Sequence, residues 1–445
     1  MQETVHRTAR THRLPRMLAL LLLVATTASP QTLARPGWAG SGLNTTPWWQ
    51  RAVFYQVAAP PAPDVLDYKS VTARLDSLRS LGVDALLLPA PTLPPNGAPI
   101  PSLDDLDDLL RQAGGHGLHV LLTLHAQTDL SGIARFWLSH GVAGLYVNTP
   151  PGISPTDSRA AVETVRKLAA SALGQRIVLS DLDLAPPAGT KAAQPAHRAT
   201  TTRIPSPAGQ LQIDTRLNRS ALDASTLRPL LAQSIAQPNL LLDLVAPDTH
   251  LPVAEAIATI ALITHSAALI NSSANLIIEP SPEPTATPAQ PEQQPAPPSP
   301  PPPPPPGTYL PYVPYVPPVR PHPAAAPKLK PADPITTWYQ RLATLHHDNS
   351  VIRLGAKTFL DFDSQNALVW VNRPVKPSPL TPAVVVVCNL SPAPVTLSLG
   401  ASMKSLNLQG WFLRPLLRSY DAMGAQDINA VVVPAYGVYI GELRR

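Results

Sequence analysis

Six side chains of this sequence stand at or just past the ends of short apolar runs: His125, Asp129, Asp181, Asp183, Asp243 and Asp248. If those runs are parallel strands, their carboxyl ends share one side, where barrels gather their chemistry. Paired carboxylates there could act as general acid and base, or as oxygen ligands for a hard cation, with the imidazole in either role. The spacing argues for less. No HxxxH pair and no cysteine-histidine ligand set occurs. Carboxylates at strand ends more often cap loops or face solvent, so no metal and no cofactor is expected.

The elements that must position these groups are legible from periodicity. Residues 52–280 alternate short β-rich runs with helix-period segments, the pattern of parallel βαβ units. Strands are predicted at 52–57, 84–89, 118–124, 144–148, 176–182, 210–214, 239–244 and 267–271. Val71, Leu75 and Leu78 follow the candidate cap Asp67 at helical spacing and predict one amphipathic helix. Leu103, Leu106, Leu109 and Leu110 mark the buried face of another, opened by Ser102 and an acidic first turn that suits the helix dipole. A third runs from Thr156 to Gly174. Trp48 and Trp49 precede a strand at the barrel's amino end and Trp137 fits a core position beside Phe136, so none is read as a ligand platform, and His250 and His265 fit surface or core positions better than catalytic bases.

The 445 residues include 57 prolines, and these concentrate between 280 and 335, where Pro300–Pro306 is unbroken proline. Such a run is an extended spacer without a core, and also a candidate ligand for a proline-recognising groove. Beyond the helix ITTWYQRLATLHH, the runs ALVWVN, VVVVCNL, VTLSLG and AVVVPAYGVYIGEL predict an antiparallel sandwich over 353–445. Cys388 alone allows no intrachain disulfide. Residues 1–34 read as a signal peptide: basic residues, the apolar run MLALLLLVA, then small residues around Ala28 and Ala34. That run is too short to span a bilayer, so no anchor is expected after cleavage, and a secreted or periplasmic location follows. Cleavage removes Arg7, Arg10, Arg13, Arg16 and Glu3 and takes the net charge from +5 to about +2. No basic patch interleaved with aromatics remains to bind nucleic acid.

Four stretches carry a resemblance. PWWQRAVFYQV, DYKSVTARLDSLRSLGVDALLL, ARFWLSHGVAGLYVN and YQRLATLHHDNSVIRLG resemble, in order and spacing, parts of the α-amylase family, glycoside hydrolase family 13. The resemblance implies a (β/α)8 TIM barrel over 45–352, without the usual domain inserted after strand three. It also implies that the proline-rich segment 280–335 is an insertion after strand eight, followed by the C-terminal β-sandwich.

Members of that family are retaining glycosidases, which need a carboxylate nucleophile and a carboxylic acid on opposite sides of the sugar. The positions matching the nucleophile and its orienting arginine are Asn148 and Tyr146. The third-strand motif is replaced by Thr123, Gln127 and Thr128, the acid corresponds to Asp181, and the seventh-strand motif to Ala246, Pro247 and Asp248. An asparagine cannot form the glycosyl-enzyme intermediate, so a barrel without hydrolase activity is expected. His125, Asn148, Asp181 and Asp248 are the candidate substrate-binding residues, and an α-glucan or oligosaccharide is the candidate ligand. A protein partner held by the proline-rich arm, or an altered hydrolase using Asp181 and Asp248, are the other readings.

Overall fold

The computed structural model describes residues 47–60, 66–93, 99–100, 102–126, 130–150, 152–181, 210–237, 239–245, 250–274, 276, 278–280, 333–361, 366–376, 378 and 380–445. The signal-peptide and proline-rich readings therefore lie outside the described residues.

Eight parallel strands, β1 (Val53–Gln56), β2 (Ala85–Pro89), β3 (His119–His125), β4 (Gly144–Asn148), β5 (Ile177–Asp181), β6 (Gln210–Asp214), β7 (Leu240–Leu242) and β8 (Ala268–Asn271), pair in the order β7-β6-β5-β4-β3-β2-β1-β8. This is a (β/α)8 barrel whose seam lies between β7 and β8. Alternation along each strand separates two apolar sets. Phe54, Leu87, Leu121, Tyr146, Leu179, Ile213, Leu241 and Leu269 fill the lumen. Val53, Leu86, Leu122, Leu145, Val178 and Ile270 join the cluster formed with the surrounding helices.

Gly144 lies where β4 presses closely on β5. A Cβ there would strike the Ile177 carbonyl oxygen and come within 2.7 Å of Ile177 Cγ1. Gly144→Ala is therefore expected to cost about 2 kcal/mol by overpacking, read as a lower urea midpoint with unchanged slope.

The helices are α1 (Tyr68–Thr72), α2 (Leu75–Ser80), α3 (Leu103–Gly115), α4 (Leu130–Ser139), α5 (Pro155–Ser171), α6 (Ala224–Ile235), α7 (Leu251–Ile263), α8 (Pro334–Asp348) and α9 (Ser350–Leu354). The single helix expected after Asp67 is broken at Ala73 and Arg74. The Arg74 guanidinium there donates to the carbonyls of Ser70 and Ile278, at 2.7 and 3.0 Å, tying the break to the chain beyond β8. Asp67 does cap the first piece, accepting from Ser70 N. Helix α7 is buried from Glu255 to Ile263, because it lies against both β8 and α8. Trp338 on α8 donates to the Glu255 carbonyl at 2.9 Å. Trp137 is buried as expected, Trp49 is buried too, and Trp48 stacks on His119 with centroids 3.7 Å apart.

The C-terminal strands are β9 (Ala356–Phe359), β10 (Ala367–Arg373), β11 (Val384–Asn389), β12 (Val395–Leu397), β13 (Phe412–Arg418), β14 (Gln426–Asp427), β15 (Val431–Val433) and β16 (Val438–Arg444). They form an antiparallel sheet, β14-β13-β16-β11-β10-β9, facing the pair β12-β15. Leu368 and Trp370 on β10 point to the barrel's cluster, whereas Ala367, Val369 and Val371 pack inside the sandwich with Val431 and Val433. The run VTLSLG was expected to be strand throughout. It leaves the sheet at Leu397, and Gly400 opens α10 (Gly400–Ser405), pressed too closely on the Asn429 side chain to carry a Cβ. Among the described residues no helix is long and apolar enough to cross a membrane.

Candidate functional site at the barrel mouth

Parity along the strands decides which candidates reach the lumen's carboxyl end. Leu121, Tyr146, Leu179, Leu241 and Leu269 face inward. Two residues further on, Thr123, Asn148, Asp181, Asp243 and Asn271 therefore share that face. Thr123 pairs with Tyr146 across β3 and β4, and His125 pairs with Asn148.

Asp181 is built into the wall. The Tyr146 hydroxyl donates to its Oδ1 at 2.6 Å, and the Thr149 amide donates to its Oδ2 at 2.8 Å. Thr149 is itself held by Ser158 on α5, with hydroxyl oxygens 2.5 Å apart. Burial, followed by the Asp181 carboxylate and the hydrogen bond to it, raises the Tyr146 pKa far above its usual value, and Asp243 adds to the rise. The phenol thus remains a neutral donor across the working pH range. Where the family resemblance implies an arginine orienting a nucleophile, a tyrosine instead bridges β4 to the carboxylate of β5.

Asp243 lies beyond β7, at the barrel's seam. Asn271, at the end of β8, donates to its Oδ1 at 3.0 Å and joins the two strands that share no ladder. Burial raises the Asp243 pKa, as does the nearby Asp181 charge, while hydrogen bonds from Asn271 and Asn218 oppose the rise. Asn218 also accepts from Val245 N at 2.8 Å. The mouth therefore holds two carboxylates in unlike settings, ringed by a phenol and the amides of Asn148 and Asn271.

Of the residues singled out in the sequence, Tyr146 and Asp181 touch, and Thr123 and Asn148 share their face. His125 is exposed at the rim. Gln127, Thr128, Asp129, Asp183 and Asp248 lie outside the described residues, so the carboxylate described after the seventh strand is Asp243. Sequence reasoning missed Asn218 and Asn271. Asn271 could have been found as the residue closing AALIN on the inward parity. It also missed Asp214, the last residue of QLQID, whose parity is opposite to lumen-facing Ile213. Asp214 is buried and bound by Arg216 rather than part of the mouth. Among the described residues no group of three or more His, Cys, Asp or Glu could hold a metal.

The same arrangement of barrel and C-terminal sheet occurs in solved trehalulose and isomaltulose synthases. The trehalulose synthase from Pseudomonas mesoacidophila MX-45 superposes with a TM-score of 0.58 at 13% identity, covering 90% of this chain and all of that one. The fold is that of the α-amylase family. The isomaltulose synthase from Klebsiella sp. LX3 gives 0.57 at 12% identity with the same coverage. An α-glucosidase from Pediococcus pentosaceus is 33% identical over 98 residues, and that match takes in 18% of each chain. The chain thus aligns with under a fifth of its curated relative. No family model matches. At this mouth the fifth strand ends in the carboxylate of Asp181 and the fourth in the amide of Asn148.

Proposed function

We propose that this chain is an exported α-amylase-type barrel that has given up glycoside hydrolysis and binds an α-glucan or short oligosaccharide at its mouth. The observation that carries the reading is the fourth strand. Retaining hydrolysis needs a carboxylate to attack the anomeric carbon. Asn148 presents an amide there, and Tyr146 spends its hydroxyl on Asp181. What remains is a ring of amides, a phenol and two carboxylates, donors and acceptors suited to sugar hydroxyls. The solved relatives include a trehalulose synthase variant with the substrate sucrose, which makes sucrose and maltooligosaccharides the first ligands to try.

Isothermal titration with these sugars should give saturable heat that Asp181→Ala abolishes. No heat with any of them would remove sugar binding and favour a scaffold whose partner is held by the proline-rich arm. Export is part of the proposal, and Edman sequencing of the mature chain should begin after Ala28 or Ala34.

A second reading is favoured by Asp243, whose carboxyl pKa is pushed up by burial and then by the Asp181 charge, since a carboxyl held protonated in a cleft suits general-acid work. It assigns residual hydrolysis to Asp181 with a seventh-strand carboxylate, Asp243 or Asp248. Chromatography of products from an aryl α-glucoside decides between the two. The first reading expects no release above the uncatalysed rate. It also expects Asn148→Asp to stay silent, because that change restores neither the orienting arginine nor a free acid. Turnover by the single variant would show that the remaining machinery is sufficient.

A further inference from the structure

At the opposite end of the barrel, a cleft of about 1840 Å³ opens between the amino ends of the strands and the C-terminal sheet. Asn239 and His265 line it from the barrel, and Lys357, Arg373, Arg444 and Arg445 from the sheet and its terminus. No aspartate or glutamate is among its described lining residues. The nearest acidic neighbour in sequence, Glu442, is already occupied by the Arg414 and Arg444 guanidinium groups, each at 2.6 Å. Arg445 donates to Gln409. Lys357 and Arg373 make no ion pair with any described residue.

Several buried polar atoms around these two cations lack a hydrogen-bond partner. His265 is only 6% exposed, and its Nε2 has no hydrogen-bond partner. Its Nδ1 lies 3.2 Å from the Thr264 hydroxyl. Asn372, directly across the β9–β10 ladder from Lys357, is wholly buried behind the cleft wall, with both ends of its amide unpaired. Arg373 Nε is buried and unpaired as well. Folded proteins pair nearly all buried polar atoms, and a cluster of exceptions marks a place where water or a ligand completes the bonding. Enclosure by protein also pulls the Lys357 ammonium down to about 8, the effect of burying a cation without a counter-ion.

We propose that this cleft is a binding site for a small molecule carrying a phosphate group, with Lys357 and Arg373 as its charged contacts and His265 on its wall. Phosphate fits better than a lone carboxylate. It offers three acceptor oxygens to divide between a planar guanidinium fork and a point-like ammonium, and its second charge matches a site with two uncompensated cations. The site is separated from the mouth by the packed lumen, so it stands or falls independently of sugar binding there.

The test is calorimetric titration of the full chain with inorganic phosphate and glycerol 3-phosphate, with chloride at matched ionic strength as the control. Saturable binding of either phosphate, weakened at least ten-fold in the Lys357→Met/Arg373→Met double variant, is expected. Absence of saturable binding, or equal affinity in the variant, overturns the proposal. A measurement on the unaltered protein guards against a variant that fails to fold. Acetylation of Lys357, followed by mass spectrometry, should slow at least three-fold with glycerol 3-phosphate present, and an unchanged rate would equally overturn the assignment.

Discussion

Replacing His346 with leucine is expected to reduce the acid sensitivity of folding by about 3 kcal/mol between about pH 7 and about pH 4.5. His346 lies on α8, fully buried, and neither ring nitrogen makes a hydrogen bond. Burial first, then the charges of His347, Lys357 and Arg353, lower its pKa to about 3. The His265 carbonyl favours the proton slightly, without the geometry of a bond. A histidine held neutral in the fold but free to protonate at its ordinary value of 6.5 when unfolded supports stability fully above that value. As pH falls below 6.5, the unfolded chain takes up the proton and the folded one does not, so stability drains until the folded pKa is passed.

His265 acts in the same direction. Burial and then Lys357 lower its pKa to about 4, opposed by the Ser234 carbonyl and Asp214. Glu255 acts in the other. Burial, countered by Arg341, raises its pKa to about 7, so protonation on acidification stabilises the fold and masks part of the histidine loss. The informative quantity is therefore the difference between wild type and variant. Urea unfolding at the two pH values measures it, and parallel losses in both proteins would show that His346 does not resist protonation.

Asp214→Ala is expected to cost about 3 kcal/mol at neutral pH. The carboxylate is 1% exposed and accepts from Arg216 three times, from the backbone amide at 3.0 Å, from Nε at 2.9 Å and from Nη2 at 2.7 Å. The same guanidinium reaches Gln233 on α6 at 2.8 Å, so the pair clips β6 to its helix. Removing the acid leaves a largely enclosed cation without its partner, the costly half of breaking a buried pair. Because the Arg216 side chain keeps some access to water, the lower end of the range for buried pairs applies. Removing both charges, as Asp214→Leu with Arg216→Met, should recover most of the loss. A double variant no more stable than Asp214→Ala would show that the damage comes from the helix clip and not from the stranded charge.

The barrel strands were legible because each is a buried parallel strand, written as an unbroken apolar run with a turn at either end. Predicted 144–148 and 210–214 coincide with β4 and β5's neighbour β6. Boundaries failed where a single contact intervenes, as at Arg74, whose guanidinium is drawn to a carbonyl some two hundred positions away. The resemblance matched Asn148 and Asp181 to the ends of the fourth and fifth strands and Tyr146 to a position two residues before the first of these, and β4 and β5 end at Asn148 and Asp181, because strand limits and alternation depend on local count.

By itself, then, the amino-acid order determined the strand and helix periods, the barrel-plus-sheet architecture they build, and which side chains of a strand share a face. Only the tertiary structure decided the pairings made across distance. Examples are the tyrosine that holds Asp181, the Asn271 bond that closes the seam on Asp243, and the gathering of His265, His346, Lys357 and Asn372 beneath the barrel. The physical reason is range. Periodicity and turn chemistry are set by neighbours a few residues apart, whereas hydrogen bonding and desolvation depend on which surfaces meet once the sheet has curled and the C-terminal strands have docked.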